Sequence, residues 1–397
     1  MNFSRKHLRL AAGLLGALFV GGVLAGCGNE AKSDEIKIGA NFEMTGNVAN
    51  YGAATLDGLK LAIKEVNDAG GVNGKKITIV DADNKSEASE AVNAATKLIS
   101  DDKVKVIVGP AVTANVIAES QVATDNKVPV IAPDATSPDV TVENGQVKPY
   151  IFRSCFIDPQ QGSVMAKFAA ENLKAKTAVI YVDNSTDYSK SLGKVFKEKF
   201  EAAGGKVLDQ QAFVAKDTDF KATLTTLKAA NADVIFVPAY YEEVGKIVKQ
   251  ARELGIKSLI AAGDTWENST IIENAGASAE GIVLSTFFDE SEPANDEAKS
   301  FITGFKEYLT ANKQSNVIPA VSALGYDAYL AAYHAIEKAQ STDGEAIKEA
   351  LKSVSFDGVT GSGISFDENG DANKDMAFIK TVKDGKFEFL TTTTVQN

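Results

Sequence analysis

The sequence predicts an α/β fold of two lobes, each a parallel-sheet, Rossmann-like βαβ sandwich, joined by a hinge. Three observations carry this. From Ile36 onward, short apolar runs alternate with segments of helical periodicity. The same rhythm restarts after Pro149. A length of 397 residues leaves room for about two domains at roughly 150 residues each.

In the first unit, Ile36, Ile38 and Ala40 alternate with polar residues, as a strand does. Leu56, Leu59, Ile63 and Val66 then recur at helical spacing, and Gly70-Gly71 stops that helix. Ile77–Val80, Val104–Val108 and Val128–Ile131 read as further strands, with helices over Ala88–Ile99 and Ala114–Asp125. In the second unit, the strands are Ala178–Val182, Val207–Phe213, Val234–Val237 and Leu259–Ala262. The helices between them are Lys190–Ala203, Phe220–Ala230 and Val244–Leu254. Strands that alternate with helices imply parallel sheets covered on both faces. Two long helices follow, Ala294–Ala311 and Ala320–Ala339, then short strands at Ile364–Phe366 and Ala377–Thr381. Ligands of such sheets sit in crevices at the carboxyl ends of the strands.

The first 26 residues stand apart. Arg5, Lys6 and Arg9 make a positive head, and Leu10–Val23 is an apolar run too short and Gly-rich for a membrane span. Leu24-Ala25-Gly26-Cys27 resembles the lipobox of bacterial lipoproteins, which implies cleavage before Cys27 and lipidation of its thiol. Polar residues 27–35 then serve as a tether. With Cys27 lipidated, Cys155 has no partner for a disulfide. Its apolar neighbours, Phe152 and Phe156, mark it as a small buried residue.

Composition excludes several classes. A net charge of -12 argues against nucleic acid as a partner, since phosphate recognition needs clustered Lys and Arg. Beyond the leader the one histidine is His334, within a helix, so no zinc site is spaced correctly and a Ser-His-Asp triad has one histidine to draw on. No Gly-x-Gly-x-x-Gly or Walker loop follows any strand. The reading is therefore a binding protein, not an enzyme, with no metal and no cofactor.

Several ordered motifs give the chain its closest likeness. They are Met44-Thr45-Gly46 with Tyr51-Gly52, Ala69-Gly70-Gly71-Val72-Asn73-Gly74, Val108-Gly109-Pro110 and Pro133-Asp134-Ala135-Thr136-Ser137-Pro138. Phe152-Arg153 with Asp158, Gln161 and Gly162 follows, then Gln250–Gly255 and Ala279-Glu280-Gly281. In these the sequence resembles the type I periplasmic-binding-protein family, in its leucine/isoleucine/valine-binding branch, from Ile36 to about Phe389. The resemblance implies an amino acid held between lobes, its carboxylate on the first and its ammonium on a carboxylate of the second. It also implies an ABC permease with its ATPase subunits as partner, and the lipid anchor would hold a monomer at the membrane outside the cytoplasm.

The site residues follow from the resemblance and from local physics together. Thr113 sits at the turn between a strand and a helix, where free N–H groups and the helix dipole suit an anion, although it would equally serve as an N-cap. Thr136, with the backbone of Asp134 and Ala135, follows the fourth strand; the bland alternative is a turn shaped by Pro and Ser. Asp264 aligns with the ammonium-binding carboxylate, or else caps the segment from Glu267. Tyr51, Tyr188 and Tyr240 fall where the family places cleft aromatics, and each is otherwise a core or surface residue. Trp266 either walls the side-chain pocket, caps the cleft rim or packs in the core. One departure stands out: Val112-Thr113-Ala114-Asn115 carries one hydroxyl where enteric members have a serine cluster.

The expected organisation is a leader at 1–26, a tether at 27–35, lobe 1 at 36–154 and 287–360, and lobe 2 at 155–286 and 361–397. The expected activity is capture of a branched-chain or similar aliphatic amino acid for an ABC importer. The rivals are the same fold binding an amide, urea or other small polar metabolite, and an amino-acid sensor.

Overall fold

The computed structural model describes residues 35–395. The leader, Cys27 and the tether as far as Asp34 lie outside the described residues. Among the described residues, no helix is long and apolar enough to cross a membrane.

The first sheet is built from strands β1 (Glu35–Phe42), β2 (Lys76–Asp83), β3 (Val106–Val108) and β4 (Val130–Ala132), with a small hairpin of β5 (Val142–Glu143) and β6 (Gln146–Val147) before β7 (Ile151–Arg153). Helices α1 (Ala49–Asp68), α2 (Ala88–Ser100) and α3 (Thr113–Asp125) connect the first four. The order is β2-β1-β3-β4-β7, all parallel. Its central strands are buried on both faces, which is why Val106–Val108 and Val130–Ala132 read as unbroken apolar runs.

After α4 (Asp158–Lys167) the second sheet begins. It contains β8 (Thr177–Asp183), β9 (Lys206–Phe213), β10 (Val234–Phe236), β11 (Leu259–Ala262) and β12 (Val283–Thr286). Helices α5 (Asp187–Ala202), α6 (Lys221–Ala229), α7 (Tyr241–Glu253) and α8 (Ser269–Ala275) link them. The chain then forms α9 (Asp296–Ala311), α10 (Ala320–Ala339), α11 (Gly344–Leu351) and the pair β13 (Phe356–Gly358) and β14 (Gly361–Ile364). It ends in β15 (Met376–Lys383) and β16 (Lys386–Thr394), which add antiparallel to β12. The order is β16-β15-β12-β11-β10-β8-β9. The two-lobed α/β fold is as the alternation of strands and helices indicates.

Helix α10 lies along α1, so chain from beyond the second sheet completes the first lobe. Two glycines permit the approach. A Cβ on Gly58 would collide with the carbonyl of Ser322, and one on Gly325 with the carbonyl of Thr55. Gly58→Ala is therefore expected to destabilise the fold by about 1–3 kcal/mol, the usual cost of overpacking. Urea denaturation checks this; an unchanged midpoint would mean that the two helices can part freely.

Both sheets reverse direction of winding at one place, between β1 and β3 in the first and between β8 and β10 in the second. The loops leaving those strands diverge there and leave a crevice at their carboxyl ends. The segments after β1, β3, β4, β8, β10 and β11 carry the residues that line the crevice.

Candidate functional site

A cavity of about 10 Å³ lies between the lobes, lined by Tyr51, Ala111–Thr113, Asp134, Thr136, Tyr188, Tyr240 and Thr265. That is room for about one water molecule. The lobes are closed on each other. Tyr51 Oη, from α1, donates to the Thr265 carbonyl at 2.6 Å. Asn50 Nδ2 donates to Thr270 Oγ1 at 3.0 Å, and the Asn50 N–H donates to Tyr241 Oη at 3.2 Å. The Tyr188 and Tyr240 rings stack 5.4 Å apart, and Tyr51 tilts against Tyr240 at 5.8 Å. The three tyrosines predicted from sequence thus meet as one wall.

On the first lobe, α3 starts at Thr113 with Val112 as its N-cap residue, so Thr113 is not the cap. Its Oγ1 instead accepts the Ser137 N–H at 3.4 Å and holds the 134–137 turn beside the helix end. Thr136 is buried, and its carbonyl accepts the Asp158 N–H at 2.9 Å. Ala111, Val112 and Thr265 also line the cavity, although the sequence reading does not single them out as site residues, and neither does it single out Glu43. Glu43, at the end of β1, is fully buried and accepts from Ala111 N–H at 3.1 Å, Val112 N–H at 3.4 Å and Asn115 Nδ2 at 2.7 Å. Burial pushes its carboxyl up, and those donors draw it back. Two N–H groups at this helix end are therefore already engaged, which leaves those of Thr113 and Ala114 for an anion. A lone Glu after a strand carries no sequence signal for this.

On the second lobe, Asp264 opens a single helical turn after β11 and is buried. Its side chain does not cap α8, which Asn268 caps. Tyr188 Oη donates to Asp264 Oδ1 at 3.1 Å and lies 3.1 Å from Thr265 Oγ1. Burial raises the Asp264 carboxyl, while Gln161 and Tyr188 pull it back. Beyond the turn, Glu267 is gripped by Lys380 Nζ at 2.5 Å, and Lys380 also meets Asp289 at 2.9 Å. This buried ion cluster fixes the turn to β15. Nearby Asp158 is pushed up to about 7 by burial, moderated by the hydroxyls of Ser191 and Thr136.

The structure gathers seven of the predicted residues, Tyr51, Thr113, Asp134, Thr136, Tyr188, Tyr240 and Asp264, around or against the cavity. Two lie elsewhere. Ala135 is fully buried in the lobe-one core and its carbonyl accepts from Arg153 Nη1 at 2.9 Å. Trp266 is fully buried and packs in the core, because the turn that presents Asp264 and Thr265 to Tyr188 carries Trp266 past the cleft. Asp134 lines the cavity, and its side-chain Oδ1 is shut off from solvent with no hydrogen-bond partner. Cys155 is a buried free thiol, and His334 lies on α10 stacked on Phe356, apart from the cavity. Some quoted motifs serve the fold. Asp83 binds the N–H groups of Met44 and Thr45 at 3.1 Å, anchoring the Met44-Thr45-Gly46 loop.

An interlobe crevice fed by strand ends on both sides defines a class: a two-lobed protein built to enclose a small molecule. Comparison with known proteins agrees. A family model described as periplasmic binding protein matches residues 35–386. The leucine-, isoleucine-, valine-, threonine- and alanine-binding protein of Pseudomonas aeruginosa is 33% identical over 90% of this chain and 92% of that protein. A leucine-binding protein from Thermotoga maritima is 37% identical with a TM-score of 0.83, covering 90% of this chain and 98% of that one. The branched-chain amino acid binding protein LivJ of Streptococcus pneumoniae, solved with isoleucine, is also 37% identical, with a TM-score of 0.82 and coverage of 91% and 99%. The chain belongs to the periplasmic binding protein family.

Proposed function

We propose that this protein captures a branched-chain or similar small aliphatic amino acid between its lobes and delivers it to an ABC permease. The observation that carries this is the pairing of a buried carboxylate, Asp264, on one lobe with the start of α3 on the other. Such a cleft suits a zwitterion. The ammonium meets Asp264 in a charge-assisted hydrogen bond, stronger than a neutral one. The carboxylate meets the Thr113 and Thr136 hydroxyls and the remaining N–H groups at the helix end. Tyr51, Tyr188 and Tyr240 surround the aliphatic side chain. The names of the Pseudomonas and Streptococcus relatives point to the same ligands.

Closure around a ligand requires opening first, since the cavity is smaller than any amino acid. Three crossings join the lobes, near 154–157, 287–290 and 373–375; we place the last of them later than residue 361, because β14 still pairs with β13 and the second sheet resumes at Met376. Lipidation at Cys27 would keep a monomer close to its membrane partner.

Thermal shift with all common amino acids tests the reading. Leucine, isoleucine or valine at about a hundred times its dissociation constant is expected to stabilise the fold by ~2.7 kcal/mol. A Rhodopseudomonas palustris solute-binding protein, 25% identical with a TM-score of 0.79, was solved with 3,4-dihydroxy benzoic acid. Benzoates therefore belong in the panel with amides and urea. A shift with these alone would overturn the amino-acid reading.

A further inference from the structure

The cavity holds a second carboxylate that the proposed function does not use. Asp134 follows β4 on the first lobe and lines the cavity from the side facing Asp264. Its Oδ1 is shut off from solvent and has no hydrogen-bond partner. The two carboxyl groups, one from each lobe, face each other closely enough that Asp264 is the charged group acting most strongly on Asp134. Two carboxylates in such contact repel unless a cation or a shared proton lies between them. Among the described residues, the charged groups that act most strongly on Asp134 are Asp264 and Glu43, both acidic, and neither relieves the repulsion.

We infer that the Asp134 side chain is a second ammonium-facing group, so that one carboxylate from each lobe clamps the cationic end of the ligand. This rests on the amino-acid reading and adds a residue to it: from the sequence, only the backbone of Asp134 was expected to touch ligand. The clamp has two consequences. The ligand class narrows to molecules with a primary ammonium able to donate to both lobes at once, which excludes simple carboxylic acids. Closure also becomes ligand-dependent, because the empty cleft can shut only by bringing the two acids together, and a ligand can favour the closed form only through contacts that form makes better.

The test uses residues 28–397 as wild type, Asp134→Ala, Asp134→Asn and Asp264→Ala. Titration calorimetry is run with leucine and with isocaproate, which is leucine without its ammonium. Small-angle scattering is recorded without ligand. Asp134→Ala is expected to weaken leucine binding by about ten-fold or more, while isocaproate binding stays equal or improves. The unliganded Asp134→Ala protein is expected to be more compact than unliganded wild type. Leucine affinity of Asp134→Ala within about two-fold of wild type would overturn the clamp. If wild type binds no amino acid, the proposed ligand fails instead, and scattering decides alone. Compaction of the unliganded variant then still supports opposed carboxylates, and its absence overturns them. Asp134→Asn keeps the side-chain shape and reads the same outcomes should the alanine variant fold poorly.

Discussion

Asp264→Ala is expected to weaken leucine binding by roughly 30-fold to several thousand-fold, the ~2–5 kcal/mol lost when one partner of a buried, hydrogen-bonded charge pair is truncated. The residue sits at the end of β11, is buried and takes a hydrogen bond from Tyr188 at 3.1 Å. Without it, the ligand ammonium enters the closed cleft with Tyr188 and Thr265 hydroxyls as its second-lobe neighbours, and both are neutral. Asp264→Asn separates charge from shape: the amide keeps the volume and one acceptor, so a loss close to that of alanine assigns the effect to charge. Calorimetry with leucine is the direct measurement. Wild-type affinity in Asp264→Ala would place the ammonium elsewhere. Melting temperature should change little or rise, because removing Asp264 relieves a buried carboxyl that Asp134 opposes.

Why the sequence located Asp264 and missed Glu43 has a physical explanation. A site at strand ends is signalled by where the strands stop, and β8, β10 and β11 announce themselves through apolar runs such as Leu259–Ala262. Residues just beyond them, including Tyr188, Tyr240 and Asp264, are placed in the cleft by that position together with the family resemblance. Glu43 also follows a strand, but its role comes from contact with α3, to whose Asn115 it is joined across 72 residues of sequence. Trp266 shows the opposite limit. Nearness in sequence to Asp264 leaves a cleft wall, a rim cap and core packing all open, and a single helical turn sends it into the core. The same limits act on the fold. β7 and β12 escaped notice because their buried residues include Arg153 in one and Ser285 and Thr286 in the other, which cut the apolar run short. α4 escaped because it buries Gln160, Gln161 and Gly162 along with its apolar residues, which erases helical periodicity. Strand β16 is a solvent-facing edge rich in threonine, with no buried face to mark it. The strand read at Ile364–Phe366 instead spans Gly361–Ile364.

Arg153→Met is expected to destabilise the protein by about 3–5 kcal/mol, the cost of breaking a buried ion pair from one side. The Arg153 side chain is 0% exposed, and its guanidinium holds two distant parts of the chain. Nε meets Asp371 Oδ1 at 2.5 Å; Nη1 donates to the carbonyls of Ala135 at 2.9 Å and Ser137 at 2.7 Å; Nη2 donates to Thr141 Oγ1 at 3.0 Å. Methionine would fill much of the space but strand the Asp371 carboxylate and leave two buried carbonyls short of a donor. Lysine would keep the charge, but its three donors radiate from one nitrogen and cannot span the separate partners of Nε, Nη1 and Nη2, so Arg153→Lys is expected to recover no more than about half of the loss. Urea unfolding measures both; a loss below about 1 kcal/mol for methionine would mean that water replaces the guanidinium at little cost. The effect should extend to ligand binding. Thr136 lies between the two carbonyls that Arg153 holds, and Asp134 precedes them, so the same guanidinium sets the position of the lobe-one side of the cleft. A variant that stays folded at low temperature is therefore expected to bind leucine more weakly, although Arg153 does not line the cavity. Unchanged affinity in that folded variant would show that the Asp134–Ser137 turn holds its shape through Thr113 and Asp158 alone.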